Sequence, residues 1–174
     1  MNKVIGLILI IFLTGCGKNM NPSDFKDQKP RLIIENYLSG NVKAWGILQN
    51  RSGKVLRQFS ADLNGKWDGN QLILDEKFNW TDGEIQFRKW KINKIDEHYY
   101  EGTAEDVVGT AKGYSYGPAF KFEYVLLVPV KGKEIKITFD DWIFKQDDKI
   151  AINRATMTKF GFKVAELTVM FRKN

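Results

Sequence analysis

The chain is 174 residues long, carries a formal charge of +6 and contains a single cysteine. One cysteine excludes an internal disulfide, so an apolar core must stabilise the fold, and the length is sufficient for one domain. Because the modest positive charge comes without a nucleic-acid-binding motif, we interpret it as a solvated surface and expect no nucleic-acid partner.

The first sixteen residues are typical of a bacterial export signal. Lys3 precedes an apolar run over residues 4–13, which is too short to cross a ~30 Å hydrocarbon core as a helix. We therefore predict a signal peptide over residues 1–15. The sequence Leu-Thr-Gly-Cys, which ends at Cys16, resembles the lipobox of bacterial lipoproteins, in which the cysteine receives acyl chains such as palmitate.

Lipidation at Cys16 predicts a protein anchored in the bacterial envelope. Two or three acyl chains hold a protein firmly on a bilayer, because burial is worth ~0.8 kcal/mol per methylene. Gly17 occupies the position where an aspartate signals inner-membrane retention, so we expect the outer membrane, at its periplasmic face. The alternative is an ordinary signal peptide followed by an incidental cysteine. Residues 16–30 are polar and contain two prolines, which predicts a lipidated cysteine with a flexible tether and leaves residues 31–174 as a single domain.

From about residue 41 onwards, turn signals alternate with runs rich in Val, Ile, Phe, Tyr and Trp. The intervals between these turns provide about nine or ten strand candidates, and the only helical segment indicated is a short one at residues 32–38. Consecutive hairpins close most simply into an antiparallel up-and-down barrel, so the predicted fold is all-β. A β-sandwich is the alternative.

Strand parity predicts that charged side chains lie inside this barrel. Symmetric pairing about the turn that follows the second strand candidate sets Arg57 opposite Glu76. A two-residue turn at 147–148 sets Asp141 opposite Arg154. We therefore expect two inward acid–arginine pairs, and Arg154→Met should then destabilise the fold strongly.

The parity of three further side chains is ambiguous. Trp142 and Phe144 have the opposite parity to Asp141, so either they face outward or a bulge re-aims them. Arg88 lies between segments whose parities disagree, so it points into the barrel in one interpretation and out of it in the other.

Two interpretations of the inward charges remain open. In the first, arginines meet the headgroup of a lipid or other amphipathic ligand while apolar walls hold its tail, and a cavity above ~300 Å³ would support this. In the second, the charge pairs plug a solid barrel, and the protein is a non-catalytic interaction or assembly protein of the envelope. Exposed Trp142 and Phe144 would favour this second interpretation. The candidate ligand-binding residues are Arg57, Glu76, Arg88, Trp90, Phe120, Phe122, Tyr124, Asp141 and Arg154.

Dispersed motifs cover nearly all of the predicted domain, among them Ala44-Trp45-Gly46, Asp106-Val107-Val108-Gly109 and Asp140-Asp141-Trp142. Together they resemble a family of proteobacterial lipoproteins described only as a domain of unknown function. The resemblance implies an envelope lipoprotein with a lipocalin-like β-barrel, and it implies no activity. The sequence departs from lipocalins because its one Gly-x-Trp triplet, at residues 65–67, falls in a predicted turn and not on the first strand.

The sequence carries little signal for catalysis. His98 is the only histidine and lies beside Glu97 in a turn-like segment, so a serine triad would depend on an exposed loop. The carboxylates match no metal-binding motif and the glycines match no phosphate-binding loop, so we predict neither a metal nor a cofactor. We favour a binding or carrier protein whose partners are the membrane and an amphipathic ligand. A hydrolase or isomerase acting on a lipid in the same cavity remains open, and no protein partner can be inferred.

Overall fold

The structure is a computed structural model that describes residues 20–130 and 132–174. The predicted signal peptide and Cys16 lie outside the described residues. A 3₁₀ turn (Pro22–Phe25) and a short helix, α1 (Ile34–Leu38), precede ten strands. The strands are β1 (Gly40–Asn50), β2 (Val55–Trp67), β3 (Gln71–Trp80), β4 (Ile85–Lys94), β5 (Tyr99–Thr103), β6 (Ala111–Tyr116), β7 (Ala119–Val130), β8 (Lys133–Lys145), β9 (Ile150–Lys159) and β10 (Phe162–Lys173).

The ten strands form one closed antiparallel barrel. Each strand pairs with the next along the chain, and β10 pairs with β1 to close the ring. Alternation of side chains produces this architecture: in β2, Phe59, Ala61 and Leu63 are buried, whereas Ser60 and Asp62 between them are exposed. The predicted up-and-down barrel is thus confirmed, and the β-sandwich alternative is wrong.

Helix α1 covers one end of the barrel, which we call the closed end. Its Ile34 and Leu38 are 1% and 5% exposed. Glu35 is also buried, and it accepts hydrogen bonds from Lys94 Nζ at 2.5 Å and from the Tyr100 hydroxyl at 2.9 Å. Since a buried carboxylate needs such partners, these bonds fix the helix across the ends of β4 and β5.

The N-terminal part of the described chain packs along the outside of the barrel at this closed end. The Phe25 ring lies 6.0 Å from that of Trp142 and 5.4 Å from that of Phe144. The structure thus places residues 20–30, part of the predicted tether, against the barrel. It also resolves the parity of Trp142 and Phe144, which face outward and are covered by Phe25. Among the described residues no helix has the length and apolar character to cross a membrane.

Five hairpins meet at the opposite end, which we call the open end: β1–β2, β3–β4, β5–β6, β7–β8 and β9–β10. Strands β5 and β6 are short and do not reach the open end. Towards that end, β4 and β7 therefore have no strand between them. The β5–β6 loop, residues 104–110, fills this place in the wall. Val108 N–H donates to Val125 O and Leu127 N–H donates to Asp106 O, each at 2.8 Å.

Candidate functional site

The barrel encloses a cavity of about 280 Å³. It extends from Ile34 and Leu38 of α1 to Glu84 and Pro129 at the open end. This volume lies just below the ~300 Å³ at which small-molecule pockets usually begin. It corresponds to roughly nine water molecules at ~30 Å³ each, so the space suits a small ligand or one segment of a larger one.

The wall of the cavity is mostly aromatic. Trp90 packs its ring 5.1 Å from Phe122 and 5.3 Å from Tyr124, and Tyr124 stacks on Phe139 at 5.0 Å. The neighbouring strand β5 provides room for these rings through Gly102, where a Cβ atom would lie 2.6 Å from the Phe122 ring. Such rings supply a large apolar surface with little flexibility.

Arg88 is the centre of a partly buried ion-pair network on one side of this wall. It lies directly opposite Glu76 in the β3–β4 pair, and its Nη1 is 3.9 Å from a Glu76 oxygen. It also holds Asp106 of the β5–β6 loop through Nη2 at 2.8 Å and Nε at 3.0 Å. This two-pronged contact links β4 to the loop that completes the wall, so Arg88 both neutralises Asp106 and closes the barrel laterally.

Asp141 is the centre of a second polar cluster, which contains no basic side chain. It accepts hydrogen bonds from the Tyr124 hydroxyl at 3.0 Å and from the amide of Asn153. The same amide also donates to Trp142 O at 3.2 Å. Asp141 is therefore held by neutral donors, and no Lys or Arg forms a salt bridge with it among the described residues.

The protonation of the two inner carboxyl groups reflects this environment. Burial raises the pKa of Glu76 to about 7, with Asp141 and Asp106 acting in the same direction and Arg88 opposing them. Burial likewise raises the pKa of Asp141 to about 6, against the hydrogen bonds of Asn153 and Tyr124. Both groups thus change charge near neutral pH, and the inner cavity holds more carboxylate than guanidinium charge.

Arg57 marks the mouth of the cavity. Its guanidinium lies 4.1 Å from the Trp80 ring centre and 2.7 Å from both Asp82 and Glu84. The arginine is therefore balanced by two acids of the β3–β4 hairpin and adds no free positive charge to the mouth.

The predicted pairing of Arg57 with Glu76 is wrong, because β2 is longer than expected. The strand continues through Trp67, and the turn spans only residues 68–70. Asp68 closes this turn by accepting two backbone hydrogen bonds at 2.9 and 2.8 Å. The longer strand moves Arg57 towards the open end, away from Glu76.

The predicted pairing of Asp141 with Arg154 is also wrong, by one residue. The connection between β8 and β9 covers residues 146–149 and not the two residues expected, because Asp147 caps the backbone N–H groups of Lys149 and Ile150. Trp142 therefore lies opposite Arg154, and a one-residue slip turns every side chain of the strand to the other face.

Arg154 is consequently the one candidate residue that does not line the cavity. Its side chain is 66% exposed and lies 2.5 Å from Glu166 on the outer surface, where Glu166 also binds Lys163. The other eight candidates line the cavity: Arg57, Glu76, Arg88, Trp90, Phe120, Phe122, Tyr124 and Asp141.

Sequence reasoning did not assign Asp106 or Asn153 to this site. Asp106 contacts Arg88 only because the β5–β6 loop completes the barrel wall beside β4, and no local sequence pattern predicts that contact. Asn153 does leave a signal, since it alternates with the fully buried Ala151 and Ala155 and must therefore face inward with them. His98 lies at the closed end, stacked on Tyr116 at 4.1 Å, and does not line the cavity.

Solved structures of other proteins share this fold. A protein of unknown function from Nostoc punctiforme, of the DUF3598 family, is 15% identical over 84% of this chain and 51% of its own, with a TM-score of 0.63. The chain thus spans about half the length of that protein. An S-type phycobiliprotein lyase from Guillardia theta is 7% identical over 80% of this chain and 90% of its own, with a TM-score of 0.60.

At such identities the likeness shows the fold alone. No curated protein matches the chain. Residues 10–173, which include the whole barrel, match the family described as "Protein of unknown function (DUF3833)", and the chain belongs to that family.

Proposed function

We propose that this protein is an envelope lipoprotein, held in the outer membrane through Cys16, whose barrel binds a small amphipathic molecule with a cationic or hydrogen-bond-donating end. The observation that carries the binding proposal is the cavity inside the barrel, which has an aromatic wall, one polar side and a mouth at the open end. The membrane anchor rests on the sequence motif at Cys16.

The charge balance inside the cavity selects the polar end of the ligand. Arg88 and Arg57 are the only basic residues among those that line the cavity, and both are already paired with carboxylates. Asp141 and Glu76 have hydrogen-bond acceptor capacity and a charge that no cation fully balances. An ammonium or other donor placed between them gains a charge-assisted hydrogen bond, whereas a carboxylate or phosphate there meets like charge.

The alternative of a solid barrel that acts only through its surface has less support. This alternative predicts that Trp142 and Phe144 are both exposed, beside an apolar patch, but Trp142 is only 7% exposed and Phe25 packs against both rings.

The binding proposal is tested with two fluorescent probes of equal alkyl chain length, one ending in an ammonium group and one in a carboxylate. We expect the cationic probe to bind at least about tenfold more tightly, which is ~1.4 kcal/mol, and to bind better at pH 8 than at pH 5 as the inner carboxyl groups ionise. Asp141→Asn should weaken the cationic probe, whereas Asp140→Asn should not, because Asp140 faces outward and pairs with Lys121 at 3.5 Å.

Tighter binding of the anionic probe would refute the charge argument, and binding of neither probe would refute the carrier function. Native mass spectrometry of the purified protein adds an independent readout, because a carrier should retain a co-purifying mass. The anchor is tested separately by incorporation of labelled palmitate, which should be lost in Cys16→Ala.

A further inference from the structure

The open end of the barrel is unusually apolar on its outer surface. Of the fourteen large hydrophobic side chains exposed in the described part of the chain, nine lie on the five open-end hairpins, within three residues of a hairpin loop. The most exposed of these are Phe160, Phe162, Phe87, Ile85 and Leu56, at 88, 77, 72, 55 and 53%. We call these nine side chains the apolar crown: Val55, Leu56, Ile85, Phe87, Val108, Val130, Phe160, Phe162 and Val164. Such a concentration of exposed apolar side chains at one end of a domain indicates an interaction site.

The β9–β10 hairpin is the most prominent part of the crown and carries a local strain. Phe160 has a φ of 51° and is the only described residue other than glycine with a positive φ, and Gly161 follows with a φ of 80°. Bulky side chains rarely adopt this conformation, for which Asn and Gly are preferred. Phe160 is 88% exposed and stacks on no other aromatic ring in the described part of the chain, so the barrel's own packing does not explain its presence.

Basic residues surround the crown on one side. The β7–β8, β9–β10 and β1–β2 hairpins follow one another around the rim, because β8 pairs with β9 and β10 pairs with β1. These three hairpins carry Lys133, Lys159, Arg51 and Lys54, together with Lys163, which pairs with Glu166, and one acid, Glu134. Lys159 lies 5.4 Å from the Phe160 ring centre, so cation and aromatic ring project together.

Aromatic side chains flanked by lysine and arginine are the combination that binds an anionic bilayer. Aromatic rings partition to the interface between headgroups and acyl chains, and basic residues are attracted to anionic headgroups. The apolar crown alone would also suit a protein partner. The basic residues on the three neighbouring hairpins favour a bilayer instead, because they complement anionic headgroups. The geometry points to docking of the crown on the surface of an anionic bilayer, with Phe160 and Phe162 inserted and Lys54, Lys133 and Lys159 at the headgroups.

This docking surface surrounds the mouth of the cavity. Arg57, Trp80 and Glu84 line the cavity on the same end of the barrel as the crown. A docked crown therefore sets the mouth against that bilayer, where an amphipathic molecule could enter without crossing water. Because residues 20–30 pack at the closed end, the crown faces away from a membrane that holds Cys16, so the docked bilayer is a second one. The entry of such a molecule rests on the proposed function, whereas the docking itself requires neither the cavity ligand nor the lipid at Cys16.

The test is hydroxyl-radical footprinting of the full-length protein purified from the cell envelope. The protein is mixed with vesicles of phosphatidylcholine alone or with about 30% phosphatidylglycerol, and oxidation is read residue by residue by mass spectrometry. We expect oxidation of Phe160 and Phe162 to fall at least about fivefold on the anionic vesicles only. Ile95, 54% exposed at the closed end, should keep its oxidation rate and serves as the internal control.

The variant Lys54→Gln/Lys133→Gln/Lys159→Gln should lose most of this protection, and ~1 M salt should do the same by shortening the screening length to ~3 Å. Equal protection on both kinds of vesicle would overturn the electrostatic part of the proposal. Absence of protection, or protection of Ile95 to the same extent, would overturn the docking itself. A protein that lacks acyl chains would fail to associate with phosphatidylcholine vesicles yet still show crown protection on anionic ones, so failure of the anchor is distinguishable.

Discussion

The ion-pair network around Arg88 predicts that two superficially similar substitutions have very different effects. In Arg88→Met, Asp106 and Glu76 lose the one basic partner that they have among the described residues, and their side chains are 30% and 11% exposed. Removal of one member of a buried pair typically costs ~3–5 kcal/mol. Because water still reaches Asp106, we expect the lower end, about 3 kcal/mol, or a loss of ~6–12 °C in Tm for a domain of this size.

Arg154→Met is the matched control, since the same change is made at an arginine that also holds a carboxylate. Its side chain is 66% exposed, and Glu166 keeps Lys163 as a second partner, so the expected cost is only about 0–1 kcal/mol. Urea unfolding followed by tryptophan fluorescence at pH 8 measures both values. If the two variants lose equal stability, or if Arg154→Met loses more, Arg88 is not the central residue of a stabilising ion-pair network.

Three further outcomes follow from the structure. The raised pKa of Glu76 means that this carboxyl binds a proton more readily in the folded than in the unfolded chain, so its contribution to stability falls as pH rises from about 4.5 to about 7. Glu76→Gln should therefore flatten the decline of Tm over this pH range. An unchanged slope in the variant would contradict this role of Glu76. Phe25→Ala should uncover Trp142, costing about 2 kcal/mol and shifting tryptophan emission to longer wavelength, and an unaltered spectrum would argue against the contact. Gly102→Ala should cost about 1–3 kcal/mol, because its methyl group would displace the Phe122 ring; a thermal scan that matches the unaltered protein would count against this packing.

The architecture of the barrel was predictable because it depends on patterns within single strands. Phe120, Phe122, Tyr124 and Leu126 alternate with charged or smaller residues in β7, and this parity alone predicts their inward direction, which the lining of the cavity confirms. The number of strands follows in the same way from the spacing of turn signals. Neither inference requires knowledge of which strand lies beside which.

The pairing of charges was not predictable, because it depends on the register between strands. Asp68 and Asp147 each close a turn by capping backbone N–H groups, and the resulting loop lengths decide which residues face each other. A register shift of one residue, set by the connection at 146–149, is enough to exchange Arg154 for Asn153 inside the barrel. The contact between Arg88 and Asp106 is further removed from sequence patterns, since it joins a strand to a loop across the gap left by two short strands.

The interior charges are costly for a barrel of this size, and that cost bears on what the cavity is for. Replacement of a buried ion pair by well-packed apolar residues is often neutral or stabilising. A barrel under pressure only for stability would therefore be expected to fill the space around Glu76, Arg88 and Asp141 with aliphatic side chains, as it does around Leu72 near the closed end. Instead, two carboxyl groups with raised pKa values border an open volume. These carboxyl groups lower the stability of the protein without ligand, but they offer hydrogen-bond acceptors to a donor in the cavity. Such a loss of folding stability is expected at a ligand-binding site.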